Sequence, residues 1–119
     1  MYYSRVHMPR HGLGELEQVL LFALLRLGGD SYGAMIRAEV LETTGRSITP
    51  GAIYPTLDRL EARGLLVSRM GEPRAERGGR ACRYFKATAA GVAEARRAWG
   101  QMSALTAGVR ALKATRGDV

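Results

Sequence analysis

The chain has 119 residues, which is enough for one compact domain and too few for two independent ones. Its 18 basic residues outnumber the 11 acidic ones, and the resulting net charge of +7 favours a polyanionic partner such as nucleic acid. The longest apolar run, residues 19–25, is far shorter than the ~20 residues that cross a bilayer, and the single Cys82 excludes an intramolecular disulfide. We therefore expect a cytoplasmic protein that uses no membrane, metal or cofactor.

The first segment predicts an arm followed by a helix. Residues 1–12 lack periodicity and predict a flexible N-terminal arm. From residue 13, leucines that include Leu16 and Leu20 recur at helical spacing until Gly28-Gly29, where we expect the helix to end. Because its apolar surface is wider than one stripe, this helix must be covered on most sides, by its own fold or by a partner.

The next segment predicts two helices joined by a short turn. Ser31 is placed to cap a second helix that runs to about Thr44 and stops at Gly45. Thr49 and Pro50 open a third helix, because a hydroxyl suits the cap position and proline costs no hydrogen bond at the first helical position. The short connection between them indicates a helix-turn-helix.

The third helix is predicted to carry three different surfaces. Its core face comprises Ile53, Leu57 and Leu60; a small and cationic flank comprises Ala52, Thr56, Arg59 and Arg63; the acidic residues Asp58 and Glu61 lie opposite that flank. The cationic flank suits DNA, although an ordinary amphipathic helix with solvated charges gives the same pattern. Tyr54 either reaches a phosphate or braces the second helix, and Pro55 is expected to kink or loosen the first turns.

A β-hairpin is predicted directly after the third helix. Residues 65–70 and 81–87 have strand character, and residues 71–79 form a polar loop between them. From Arg69 to Arg83, five arginines face two glutamates, so the hairpin tip suits the minor groove or the flanking phosphates. A loop charged only for solubility would have the same composition. The order of elements predicts a mainly α (α+β) fold, a winged helix-turn-helix with a two-stranded wing.

The last segment predicts a long helix that begins at a Thr88 cap. Residues at alternating steps of three and four form a seam along it: Val92, Ala95, Trp99, Met102, Thr106 and Val109. We expect this seam to pair two copies of the chain, together with Leu16 and Leu20. The predicted organisation is an arm (1–12), a winged helix-turn-helix domain (13–87), and a C-terminal dimerisation helix with a tail (88–119).

Several short runs coincide with one known family. They are Tyr32-Gly33, the run from Thr49 to Leu57 (TPGAIYPTL), Arg59-Leu60-Glu61, Gly64-Leu65-Leu66, the wing run from Gly79 to Phe85 (GRACRYF), Thr88 and Gly91. On these residues the chain resembles the PadR-type transcriptional regulators, in their short-chain subgroup with a single C-terminal helix. The resemblance covers residues 13–107.

The resemblance implies a homodimeric repressor that binds a pseudo-palindromic operator in double-stranded DNA and is released by a small-molecule effector. The residues expected at the DNA, from the resemblance and the charge pattern together, are Tyr32, Thr49, Pro50, Gly51, Ala52, Tyr54, Pro55, Arg59, Arg63, Arg77, Arg80 and Arg83. Some drug-responsive relatives line a pore between subunits with aromatic residues, which makes Trp99 and Met102 the candidates for an effector pocket. The position of Trp99 in the seam favours dimer packing over ligand binding.

Three positions depart from the family pattern. Ala81 and Cys82 stand where relatives often carry proline and lysine, and Ala87 replaces a common leucine. The loss of one positive charge is expected to affect how tightly the wing binds DNA more than it affects the fold. Cys82 is expected to be a packing residue rather than a redox sensor. Generic nucleic-acid binding and protein interaction are alternative functions of the same fold. An enzyme is not expected, because His7 and His11 fall in the arm with no general acid–base pair.

Overall fold

The computed structural model describes residues 12–72 and 81–113. Its elements in chain order are α1 (Glu15–Leu27), β1 (Ser31–Tyr32), α2 (Gly33–Thr44), α3 (Pro50–Ala62), β2 (Leu66–Met70), β3 (Arg83–Ala87), α4 (Ala89–Thr106) and a 3₁₀ turn (Arg110–Leu112). This mainly helical fold with a small antiparallel sheet is the one predicted. Residues 1–11 of the predicted arm, the wing residues Arg77 and Arg80, and residues 114–119 of the tail lie outside the described residues.

Most helix boundaries follow the residues that predict them. α1 ends at Gly28 and α2 at Gly45, with φ of 79° and 78°, in the left-handed conformation that glycine adopts without a steric penalty. At the start of α3, the Thr49 hydroxyl accepts a hydrogen bond from the Ala52 N–H at 3.2 Å. α3 then continues through Pro55, so this proline does not interrupt the helix.

The start of α2 differs from the prediction. Ser31 does not cap the helix, because it forms a two-residue strand with Tyr32, and α2 begins at Gly33. The strand pairs antiparallel with β3, in the register Ser31↔Phe85 and Tyr32↔Tyr84, and produces a three-stranded sheet in the order β1-β3-β2. A two-residue strand has no periodicity of its own, so its pairing with β3 is what reveals it.

The core lies where the first three helices meet the sheet. Its fully buried side chains include Leu20, Leu21, Ile36, Ile53, Leu57, Leu60 and Phe85. All three residues of the predicted core face of α3 are among them, which confirms that prediction. The prediction that Leu20 takes part in a dimer contact is wrong, because its side chain is enclosed within the protomer.

The start of α4 is joined closely to the end of α3. The Thr88 hydroxyl donates to the Gly64 carbonyl oxygen at 2.7 Å and accepts from the Gly91 N–H at 3.0 Å. A Cβ at Gly91 would lie 2.0 Å from the Leu65 carbonyl oxygen, so glycine is required for this approach. The predicted Thr88 cap is therefore confirmed, and it ties α4 to the turn before the wing.

The second half of α4 extends away from this packing. Ala95 and Ala98 are buried where α4 packs on α1, whereas every residue from Trp99 to Lys113 is exposed. The prediction that Ala95 faces a second copy is wrong, because only 2% of this residue is exposed in the single protomer. Within residues 12–72 and 81–113, no helix has both the length and the apolar character needed to cross a membrane.

Candidate nucleic-acid interface

The first turns of α3 present a small, exposed surface. Thr49, Pro50, Gly51 and Pro55 are exposed, and Ala52 is half-buried. A Cβ added at Gly51 would have the Thr49 hydroxyl oxygen, 3.8 Å away, as its nearest neighbour, so the fold does not require glycine there. Small side chains and N–H groups at a helix N-terminus favour close approach of an anionic backbone. All five residues are predicted DNA-binding residues, and the structure places them at one end of α3.

Tyr54 braces α2. Its hydroxyl oxygen lies 2.2 Å from the position that a Cβ on Gly33 would take, so no larger residue fits at position 33 while the tyrosine stays in place. The Tyr54 ring also lies near Phe85, with the two ring centroids 6.5 Å apart. Of the two roles that the sequence leaves open for Tyr54, these contacts support bracing. They also supply a physical reason for the glycine in the Tyr32-Gly33 run.

Arg63 is engaged inside the protomer. Its guanidinium donates to Glu17 Oε1 at 2.9 Å and to the Gly12 carbonyl oxygen at 2.7 Å. Glu17 is 2% exposed and also accepts from the Gly14 N–H at 2.7 Å, at the start of α1. A buried carboxylate requires such partners. We therefore correct the prediction that Arg63 faces DNA: its side chain, 23% exposed, neutralises a carboxylate of the protein interior.

Arg59 is more exposed than Arg63 and lies farther from Glu17. Its side chain is 54% exposed, its Nη2 donates to Thr56 Oγ1 at 3.0 Å, and its Nε lies 3.9 Å from Glu17 Oε2. Thr56 is itself buried, and its hydroxyl donates to the Ala52 carbonyl oxygen at 2.9 Å. The flank predicted to be small and cationic thus turns inward at Thr56. Of its two arginines, Arg59 keeps the larger exposed fraction.

Arg83 connects the wing to the acidic flank of α3. Its Nη2 donates to Asp58 Oδ1 and to Glu61 Oε1, both at 2.9 Å, and its Nε donates to Ser68 Oγ at 3.2 Å. The guanidinium carbon lies 4.8 Å from the centroid of the Phe85 ring. Burial acts to lower the pKa of Arg83, but the hydrogen bonds to Asp58 and Glu61 outweigh it, so the pKa is raised above its ordinary value. The side chain is thus charged and held in a network within the protomer.

A second brace, missed in the sequence, holds the other side of the wing. Arg69 Nη2 lies 2.9 Å from Asp30 Oδ2, and the Arg69 guanidinium carbon lies 4.7 Å from the Tyr84 ring centroid. The Tyr84 ring meets Tyr32, a predicted DNA-binding residue, edge to face with centroids 5.7 Å apart. Arg69 and Tyr84 are partners in the β2–β3 register, so correct pairing of the hairpin would have revealed their contact.

Cys82 is buried, as expected of a packing residue.

Comparison with known proteins identifies the family. Residues 21–97 match the sequence profile of the transcriptional regulator PadR-like family. The chain belongs to this family. Proteins of this family are transcriptional regulators rather than enzymes.

Similar proteins agree with this assignment. The transcriptional regulator Rv3488 of Mycobacterium tuberculosis is 50% identical over 60 residues, which are 50% of this chain and 51% of that protein. The chain thus spans about half the length of this curated relative. A PadR-like transcription factor from Bacteroides fragilis superposes with a TM-score of 0.67 at 22% identity, covering 82% of this chain and 89% of that one.

Two further solved structures share the fold. A PadR family regulator from Eggerthella lenta has a TM-score of 0.65 at 28% identity, covering 82% of this chain and 85% of its own. F93 from STIV, described as a winged-helix DNA-binding protein, has a TM-score of 0.65 at 18% identity, covering 82% of this chain and 98% of its own. The PadR-like chain therefore has a winged-helix fold.

The predicted dimer seam of this PadR-like protein divides into two parts. Leu16 and Val92 are half-buried, and the seam residues further along α4 and just beyond it are exposed: Trp99, Met102, Thr106 and Val109. Leu105 and Leu112, which are absent from the predicted seam, are exposed beside them. Leu105 follows Met102 at a helical spacing of three, a signal that could have identified it. Five exposed apolar residues on α4 and just beyond it are called the α4 apolar row below: Trp99, Met102, Leu105, Val109 and Leu112.

An open groove of about 250 Å³ lies between α1 and α4. It is lined by Phe22, Leu25, Val92, Ala95, Arg96 and Trp99. Of the two residues predicted for an effector pocket, Trp99 lines this groove and Met102 does not. The lining is mostly apolar and carries one cationic side chain at Arg96.

Proposed function

We propose that this PadR-like regulator is a homodimeric repressor that binds a pseudo-palindromic operator in double-stranded DNA. The observation that carries the proposal is the exposed start of α3, residues 49–51, within a winged helix. The net charge of +7 supports a polyanionic partner. In this proposal the start of α3 enters the major groove, and Arg77 and Arg80 of the wing lie against neighbouring phosphates or the minor groove.

The proposed dimer forms through the C-terminal part of the chain. Residues 13–87 bind DNA, and residues 88–119 pair the two copies. The α4 apolar row supports this division, because large apolar side chains clustered on a surface favour burial by a partner. A second copy of the same helix offers a self-complementary surface. The dimer then places its two α3 helices about 34 Å apart, at successive major grooves on one face of the DNA.

The proposed effector acts near this dimer contact. The groove between α1 and α4 shares Trp99 with the α4 apolar row. A small molecule that fills the groove therefore bears directly on how two copies pair, and so on the spacing of their α3 helices. Apolar molecules with an anionic group fit the chemistry of this lining, because Arg96 supplies a positive charge.

Selection of DNA fragments from the source genome tests the proposed DNA binding. We expect the bound fragment to be preferred over random DNA by roughly a thousandfold or more at physiological salt. A dimer that contacts 6–10 phosphates should lose about three decades of affinity between low and moderate salt. Equal affinity for both DNAs would replace the repressor with a generic nucleic-acid binder. Little salt-dependent DNA affinity would instead indicate a protein-interaction module.

Substitution of Trp99 tests the proposed dimer. We expect Trp99→Ala to weaken self-association by about 2 kcal/mol, or roughly thirtyfold, because a large aromatic side chain is lost from the contact. Sedimentation equilibrium measures this change, with Leu41→Ala, at an exposed leucine of α2, as the matched control. Intact association together with a lost small-molecule response would assign Trp99 to the effector pocket.

A further inference from the structure

Arg83 and Glu61 lie at the centre of one network between α3 and the wing. The Arg83 guanidinium reaches Asp58, Glu61 and Ser68 with the distances given above. The Glu61 carboxylate also accepts from the Ser68 N–H at 3.2 Å and from the Ser68 hydroxyl at 2.9 Å. These four residues therefore connect the recognition helix to both described strands of the wing.

Glu61 also satisfies a backbone group at the edge of the sheet. β2 is an edge strand in the order β1-β3-β2, and edge strands carry N–H groups without a strand partner. The Ser68 N–H of β2 donates to the Glu61 side chain instead of to a neighbouring strand. This carboxylate thus links β2 directly to α3.

We propose that Arg83, together with Glu61, is a positioning residue for DNA binding, which sets the orientation of the wing relative to the start of α3 without touching a phosphate itself. This inference rests on the proposed DNA binding. It replaces the direct contact predicted for Arg83 in the sequence.

The charges around Arg83 argue against a direct phosphate contact. If the guanidinium turned its Nη2 to a phosphate, it would have to leave Asp58 and Glu61. Two carboxylates of the recognition helix would then stand without their cation beside a polyanion, which is unfavourable. When Arg83 stays in place, it neutralises part of that charge and holds the wing at the same time.

Paired substitutions test this inference on a duplex that the wild-type protein enriches from a random-sequence pool. We expect Arg83→Gln and Glu61→Ala each to weaken binding by about tenfold, and the double variant to bind no more weakly than either single one. The Glu61 variant is decisive, because removal of an acid near DNA would otherwise strengthen binding or leave it unchanged. Glu72→Ala, at an exposed position two residues beyond the end of β2, is the charge-matched control and should not weaken binding.

A salt series separates positioning from phosphate contact. We expect Arg83→Gln to retain the wild-type dependence of affinity on salt. A slope reduced by about one per protomer would mean that Arg83 contacts a phosphate. Full affinity in Glu61→Ala would mean that the network around Arg83 does not position the wing. Either result overturns the proposal.

Arg83→Lys gives an independent test that keeps the charge. A single ammonium group cannot bond to Asp58, Glu61 and Ser68 together as the planar guanidinium does. We therefore expect Arg83→Lys to bind DNA more weakly than the wild-type protein. Wild-type affinity in Arg83→Lys would contradict the inference. Thermal unfolding measures whether each variant is folded at the assay temperature. If Glu61→Ala is unfolded there, the affinity of Arg83→Lys decides whether Arg83 is a positioning residue. If the wild-type protein enriches no duplex at all, the proposed function itself fails.

Discussion

The two ends of α3 use their polar residues in different ways. At the start, Pro50 and Gly51 are exposed and the fold does not require their side-chain identity for packing. At the end, Asp58, Glu61 and Arg63 form ion pairs with α1 and the wing. A charged residue on a recognition helix is therefore not by itself evidence of a DNA contact. Here the charged end anchors the helix, and the small, uncharged end is the part that stays exposed for the proposed contact with DNA.

The largest expected effect comes from removing the anchor at Arg63. We expect Arg63→Ala to destabilise the protein by about 3 kcal/mol, because the carboxylate of Glu17 would stay buried without its closest cation. Chemical denaturation of the variant and the wild type measures the difference. A loss below about 1 kcal/mol would show that Arg63 is not an anchor, and the contrast between the two ends of α3 would disappear.

A double variant separates charge burial from packing at this site. Replacing both partners, as Glu17→Met with Arg63→Met, removes the buried charge and keeps similar volume, so we expect it to recover much of the stability lost in Arg63→Ala. Recovery should be incomplete, because Glu17 also accepts the Gly14 N–H at the start of α1. A double variant as unstable as the single one would mean that packing, not charge, dominates.

Local signals in the sequence predict the helices well. The Thr49 cap, the Pro50 that follows it and the stops at Gly28 and Gly45 each act within a few residues, so their chemistry is legible without the fold. The core face of α3 is likewise legible, because helical spacing places Ile53 and its neighbours on one side. The prediction for Ser31 was wrong for the same reason. Its side chain suits a helix cap, but its backbone pairs with Phe85, 54 residues further along the chain.

The partners of the arginines cannot be predicted from the sequence in the same way. Arg63 pairs with a residue 46 positions away, and Arg83 with residues 25 and 22 positions away. A charge at helical spacing has the same pattern whether it is solvated, paired or bound to DNA, so the three-dimensional packing decides which it is. The predicted DNA-binding set therefore stays a prediction at the uncharged start of α3, where the residues are exposed, and it was wrong at Arg63.

Two glycines, Gly33 at the start of α2 and Gly51 at the start of α3, provide an intermediate test. We expect Gly33→Ala to destabilise the protein by about 2 kcal/mol, because its Cβ would collide with the Tyr54 ring. Gly51→Ala should change stability by less than about 1 kcal/mol, since its Cβ makes only an ordinary contact with the Thr49 hydroxyl oxygen, yet it should weaken DNA binding if α3 approaches the groove closely. Thermal unfolding and a DNA titration of both variants measure the two effects. Unchanged DNA affinity in Gly51→Ala would place the close approach elsewhere.

Arg59 should show the smallest effect on stability, and it lies at the boundary between the two ends. We expect Arg59→Ala to lower stability by less than about 1 kcal/mol, because its side chain is largely exposed and its distance to Glu17 is long. The same variant should weaken DNA binding several-fold and reduce the salt slope by about one per protomer, as the loss of a phosphate contact does. Full affinity in Arg59→Ala would instead assign this arginine to the anchored end, and the whole DNA contact of α3 would then fall on the residues before Thr56.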